Sequence, residues 1–152
     1  MIDRRGALGQ GAALAALMAG AGLWPAAAQA AWSKDAFEAK TLADAIKALG
    51  GAPPAASTDV TLTGPDIAEN GAVVAVGAST GLPGVKRLAI LVEKNPNTLA
   101  AVFDITDAVE PNIATRVKMG QSSNVFAVAM MADGKVLFAQ KEIKVTLGGC
   151  GG

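Results

Sequence analysis

The sequence predicts an all-β fold, an immunoglobulin-like β-sandwich with an N-terminal helix and a flexible glycine arm at the C-terminus. Three observations predict it. From Asp59 onward apolar and polar residues alternate with period two, the spacing that turns one face of a strand toward a core. About seven such runs succeed one another, separated by turn-forming residues, as in a two-sheet sandwich. Upstream, one stretch instead carries helical spacing with its own start and stop signals.

The helix comes first. Thr41-Leu42-Ala43-Asp44 reads as a capping box with Asp in the place of Glu or Gln. Leu42, Ala45, Ile46 and Leu49 follow on one face. Gly50-Gly51 stops the helix and Pro53-Pro54 blocks its restart. A further short helical turn is expected over residues 35–39.

The strands follow. Val60 and Leu62 alternate with Thr61 and Thr63. After the turn Glu69-Asn70-Gly71 comes a β-rich run over residues 72–79, and then residues 85–93 with the continuous apolar stretch Leu88-Ala89-Ile90-Leu91-Val92. Lys94-Asn95-Pro96-Asn97 is a turn. In residues 99–105, Leu99, Ala101, Phe103 and Ile105 are expected on one side. Ile113, Thr115, Val117 and Met119 alternate with Ala114, Arg116 and Lys118. Residues 124–131 are apolar on both faces, and Asp133-Gly134 is a strong hairpin signal. Residues 136–147 close the fold, with Leu137, Ala139, Ile143, Val145 and Leu147 expected on the core face. One cysteine is present, so no disulfide joins the sheets.

Two of these strands are apolar on both faces, whereas an antiparallel sandwich usually shows one face to solvent. The N-terminal helix, overlying loops or a second protein must cover the outer face. If a second protein does, the chain by itself is expected to be poorly soluble or to self-associate.

Composition narrows the chemistry. The chain holds 13 basic and 13 acidic residues, no His and no Tyr. No basic stripe suited to nucleic acid is visible. Without histidine, and with 1 Cys, a zinc-type cluster and a Ser–His or Cys–His catalytic pair are excluded within the chain. No cofactor is expected.

Residues 1–30 read as an address. Arg4-Arg5 precedes an uncharged run rich in alanine, glycine and leucine, and Ala28-Gln29-Ala30 supplies the small-x-small cleavage pattern. The twin arginines point to the twin-arginine export route and a periplasmic destination. The sandwich domain is then expected over residues 31–147 and the arm over residues 148–152.

The arm is Gly148-Gly149-Cys150-Gly151-Gly152. Glycine offers conformational freedom and no side chain to bury. Cys150, three residues beyond Leu147, reaches ~10 Å from the fold. A lone exposed thiol in an oxidising compartment would otherwise oxidise, so its reactivity is expected to be used. Cys150 is the candidate functional thiol, with Gly148, Gly149, Gly151 and Gly152 as the arm that carries it.

With these residues the chain resembles the SoxY family, the sulfur-carrying subunits of periplasmic thiosulfate oxidation. The resemblance rests on the arm, on Asp66-Ile67-Ala68-Glu69-Asn70-Gly71, on Pro83-Gly84-Val85-Lys86 and on Glu93-Lys94-Asn95-Pro96. Ala75-Val76-Gly77 stands where the family often carries a proline. The resemblance implies a non-enzymatic carrier that holds sulfur covalently on Cys150. It also implies a β-sandwich partner, SoxZ, and transient contact with SoxAX, SoxB and, where present, SoxCD. Rival readings are a structural periplasmic sandwich, a ubiquitin-like sulfur carrier activated as a C-terminal thiocarboxylate, and a disulfide oxidoreductase. The export signal and the cysteine oppose the second. The absence of a resolving cysteine opposes the third.

Overall fold

The computed structural model describes residues 33–147. The leader expected over residues 1–30, and the arm Gly148, Gly149, Cys150, Gly151 and Gly152, lie outside the described residues.

Two short helices open the described chain. Helix α1 spans Lys34–Glu38, where a helical turn over residues 35–39 was expected; the Ser33 hydroxyl caps it by accepting from Ala36 N at 3.4 Å. Helix α2 spans Leu42–Ala48. Thr41 Oγ1 accepts from Asp44 N at 3.1 Å and donates to Asp44 Oδ2 at 2.7 Å, so the two side chains close the cap together. At the other end Gly50 N donates to Lys47 O and Gly51 N to Ile46 O, both at 2.9 Å. This paired closure requires a left-handed residue, and Gly50 supplies it at φ 80°.

Nine strands follow: β1 Ala55–Ala56, β2 Val60–Thr63, β3 Ile67–Ala68, β4 Val74–Thr80, β5 Val85–Val92, β6 Leu99–Asp104, β7 Asn112–Val117, β8 Ser123–Met131 and β9 Val136–Val145. The larger sheet has the order β1-β9-β8-β5-β6, with β3 also on β9; the smaller is β2-β4-β7. The two face each other as an all-β sandwich. The strands of four residues or more are the expected ones, and β1 and β3 are two-residue additions that pair parallel with β9. The hairpin at Asp133-Gly134 is a tight turn closed by Gly134 N to Met131 O at 3.1 Å, with Gly134 at φ 89°.

Strands β5 and β8 are buried on both faces, and the structure shows what covers each. Toward the small sheet, Leu88, Ile90, Val92, Val125, Ala127 and Ala129 join Val60, Val74, Val76 and Ile143 in the main core. On the opposite face, Ala89, Leu91, Phe126, Val128 and Met130 pack against Ala36, Ala39, Ala45 and Ile46. The helical pair therefore supplies cover for the outer face within the same chain. Two-sided apolarity no longer argues for a second protein, and the expectation of poor solubility loses that support.

Two details differ from the alternation expected. A bulge between Ile90 and Leu91 shifts the β5–β6 register, so that Leu99 pairs with Leu91. Leu99 consequently lies in the helix-covered core, while Ala101 and Ile105 pack toward the sandwich core. Leu147, expected on the core face, is 70% exposed because the strand has ended at Val145.

Candidate functional site: the root of the C-terminal arm

The last described residues precede Cys150 by three positions, and the fold holds them from two sides. Strand β3 runs parallel to the end of β9, with Ile67 opposite Lys144 and Ala68 opposite Val145. Lys144 N donates to Asp66 O at 2.9 Å and Thr146 N to Ala68 O at 3.1 Å. Beyond the strand, the Thr146 hydroxyl donates to Glu69 O at 3.0 Å, and Gly71 N donates to Leu147 O at 2.8 Å. From the β8 side, Val145 N donates to Ser122 Oγ at 2.9 Å.

The clamp is itself anchored. Asn70 Oδ1 accepts from Ala72 N at 2.9 Å, turning the chain at 70–72, and Met119 N donates to Gly71 O at 2.7 Å. Lys141 Nζ lies 2.8 Å from Asp66 Oδ1 and donates to Gly64 O at 2.7 Å. The hydrogen bond from Lys141, and then its charge, hold the Asp66 carboxyl below the usual carboxylate range.

Of the segments that carried the family resemblance, two meet at this end of the sandwich. Residues 66–71 form the clamp. Residues 93–96 lie across the 118–123 loop: Asn95 Nδ2 donates to Lys118 O at 2.7 Å, its Oδ1 accepts from Gly120 N at 3.3 Å, and Lys94 N donates to Ser123 Oγ at 3.0 Å. The third, Pro83-Gly84-Val85-Lys86, is at the far end, where Val85 pairs with Met131. There it lines a shallow pocket of about 460 Å³ with Ile105, Asp107 and Pro111.

Sequence reasoning singled out residues 66–71 without finding their task, and it missed Thr146, Ser122 and Lys141. No local period signals a contact between segments so far apart. Among the described residues no group of His, Cys, Asp and Glu is placed to hold a metal ion.

The model of the family "Sulfur oxidation protein SoxY" matches residues 46–150, so the clamp and the arm through Cys150 fall inside the match. The chain belongs to the SoxY family. A solved structure of the sulfur carrier protein SoxY from Chlorobium limicola f thiosulfatophilum is similar, at 32% identity and a TM-score of 0.60, covering 67% of this chain and 92% of that one. Two structures of superoxide reductase (neelaredoxin) variants from Ignicoccus hospitalis match at 18% identity, with TM-scores of 0.50 and 0.51. They cover 57% of this chain and share the sandwich fold alone. No curated protein matches. The SoxY match begins inside α2, so α1 and the start of the helical cover lie upstream of it.

Proposed function

We propose that this SoxY-family chain is a sulfur carrier of thiosulfate oxidation, with Cys150 as the attachment residue and Gly148, Gly149, Gly151 and Gly152 as its arm. The observation that supports it is the clamp on Thr146 and Leu147. A carrier needs a tether that moves and a root that does not, so that reach is set by the arm's length alone. The solved Chlorobium relative is named a sulfur carrier, which agrees.

In this reading residues 1–30 direct export by the twin-arginine route, and the mature chain works in the periplasm paired with a SoxZ-like β-sandwich subunit. The Cys150 thiolate bonds to the sulfane sulfur of thiosulfate, its proton going to solvent. Forming this S–S bond releases two electrons, which the haem enzyme SoxAX accepts. SoxB hydrolyses the terminal sulfone as sulfate and leaves a persulfide. SoxCD, where present, takes six electrons from the outer persulfide sulfur, which gains three oxygens from water with release of six protons, and SoxB then hydrolyses the resulting sulfonate as sulfate. The chain supplies no catalyst; it holds and presents the intermediate.

Mass spectrometry of the native protein tests the proposal. Loaded protein carries a reductant-sensitive mass increase on the peptide containing Cys150. Cys150→Ser abolishes both the adduct and thiosulfate oxidation in the reconstituted system, with folding intact. Oxidation that persists in the Ser variant overturns the carrier reading.

A further inference from the structure

Four large apolar side chains are exposed among the described residues: Ile67, Val73, Val109 and Leu147. Val109 lines the shallow pocket at the far end of the sandwich with Pro83 and Ile105. The other three stand at the root of the arm. Ile67 lies opposite Lys144 in the β3–β9 pairing. Leu147 is the residue whose carbonyl accepts from Gly71 N, and Val73 follows Gly71 by two positions, its own N–H donating to Asn70 O at 3.4 Å. Ala68 and Val74 enter the main core, so alternation turns Ile67 and Val73 outward, where a strand with one solvated face usually carries polar residues. Strand β2 does so with Thr61 and Thr63. The end of the sandwich that carries the arm departs from this rule, and Ile67 and Val73 are each 57% exposed.

Charge at this end is balanced. Asp66 is paired with Lys141. Exposed Glu69 and Glu142 offset exposed Lys118 and Lys144, and Glu93 offsets Lys94 in the neighbouring loop. No net sign is left to attract an ion, so apolar area is what this end offers to a partner. The length of chain beyond it says which partner. Cys150 is three residues past Leu147, and an extended chain takes its Cα no further than ~10 Å. An active site that receives Cys150 below its own surface therefore has its mouth against the residues around Leu147.

We infer that Ile67, Val73 and Leu147 are the docking surface for the enzyme that takes in Cys150, and that the mouth of that enzyme's active-site channel is itself apolar. This docking step rests on the carrier reading and adds the contact that precedes the chemistry. Burial of these side chains against an apolar rim supplies affinity that does not depend on the state of the sulfur. One surface therefore serves each enzyme that acts on the arm, and docking is exclusive, because a second enzyme finds the surface covered. A contact centred on so few side chains belongs with transient encounters, which lets each enzyme leave before the next arrives.

The test uses the mature chain loaded at Cys150 without a loading enzyme. The Cys150 thiolate attacks tetrathionate, forms an S–S bond and displaces thiosulfate, which leaves the thiosulfonate on Cys150. Sulfate release by the hydrolase is then followed for the native chain, for the combined Ile67→Ser, Val73→Ser and Leu147→Ser variant, and for Val109→Ser as the control at the far end. The combined variant is expected to raise KM about tenfold with kcat unchanged, the signature of lost uniform binding. Val109→Ser is expected to match the native chain, and KM is expected to be nearly independent of salt, because the contact is apolar. All the replaced side chains are exposed, so circular dichroism and melting should stay native. A native KM in the combined variant overturns the inference and leaves the carrier reading standing. If tetrathionate then also loads that variant faster, the apolar side chains cover the arm itself; if binding of the paired subunit falls instead, they belong to that interface. A native chain that is loaded but releases no sulfate overturns the carrier reading and this inference with it.

Discussion

Gly71 donates its N–H to the carbonyl of Leu147 at 2.8 Å and thereby ties an early loop to the last described residue of the chain. Gly71 is also held from behind, since its own carbonyl accepts from Met119 N at 2.7 Å. The load path from the arm's root thus runs through the 66–71 segment into the 118–120 loop. The root from which residues 148–152 depart is thereby fixed to the sandwich at Thr146 and Leu147.

Thr146→Val keeps the shape of residue 146 and removes the hydroxyl that donates to Glu69 O. The loss is expected to cost about 1 kcal/mol, the net worth of one hydrogen bond at a partly solvated site. Amide exchange at residues 145–147 should accelerate, while exchange in β5 and β8 stays unchanged. Uniform acceleration across the sandwich would show that the clamp is not a local device.

Asp66 and Lys141 give the clamp a dependence on pH. The Asp66 carboxyl titrates lower in the folded chain than its ordinary value of 3.8. A depressed carboxylate contributes stability that is fully present above the unfolded value, about 3.9, and is lost as pH falls through the lower folded value. The site is exposed, so the effect is small and screened by salt. Urea midpoints of the native chain and Asp66→Asn should differ at pH 7 and converge in acid. A constant gap across that range would rule out the ion pair as its source.

The helical cover predicts a stability cost far from the arm. Ile46 is 1% exposed and packs over the outer face of the large sheet. Ile46→Ala should destabilise the domain by about 2–5 kcal/mol, the loss of transfer energy plus the cavity left behind. Binding of an apolar dye should rise if the helices then lift from the sheet. A variant with native stability would mean that the cover contributes no packing.

The proposed export rests on reading residues 1–30 as a leader. The mature N-terminus is expected at Ala31, after Ala28-Gln29-Ala30, and Arg4→Lys with Arg5→Lys should retain the precursor in the cytoplasm. Terminal sequencing and cell fractionation check both. Normal periplasmic delivery of the double variant rejects the twin-arginine route.

Some features of this protein were determined by residue order over short distances. Thr41 with Asp44 and Gly50 with Gly51 delimit α2, because capping and a left-handed stop need only neighbouring residues. Alternation placed the strands of four residues or more, since the period of two is a property of one strand at a time. Gly148-Gly149-Cys150-Gly151-Gly152 marked Cys150 as a candidate functional thiol by composition and position. Other features were decided only in three dimensions. The sequence could say that β5 and β8 needed cover on two faces, but only packing chose α1 and α2 as that cover. Alternation put Leu99 with Ala101, and the bulge at Ile90 and Leu91 moved it to the other core, because register belongs to a pair of strands. The clamp on Thr146 and Leu147 was invisible for the same reason: Glu69 and Gly71 come within hydrogen-bonding distance of these two residues only after β9 has found its place beside β8 and β3.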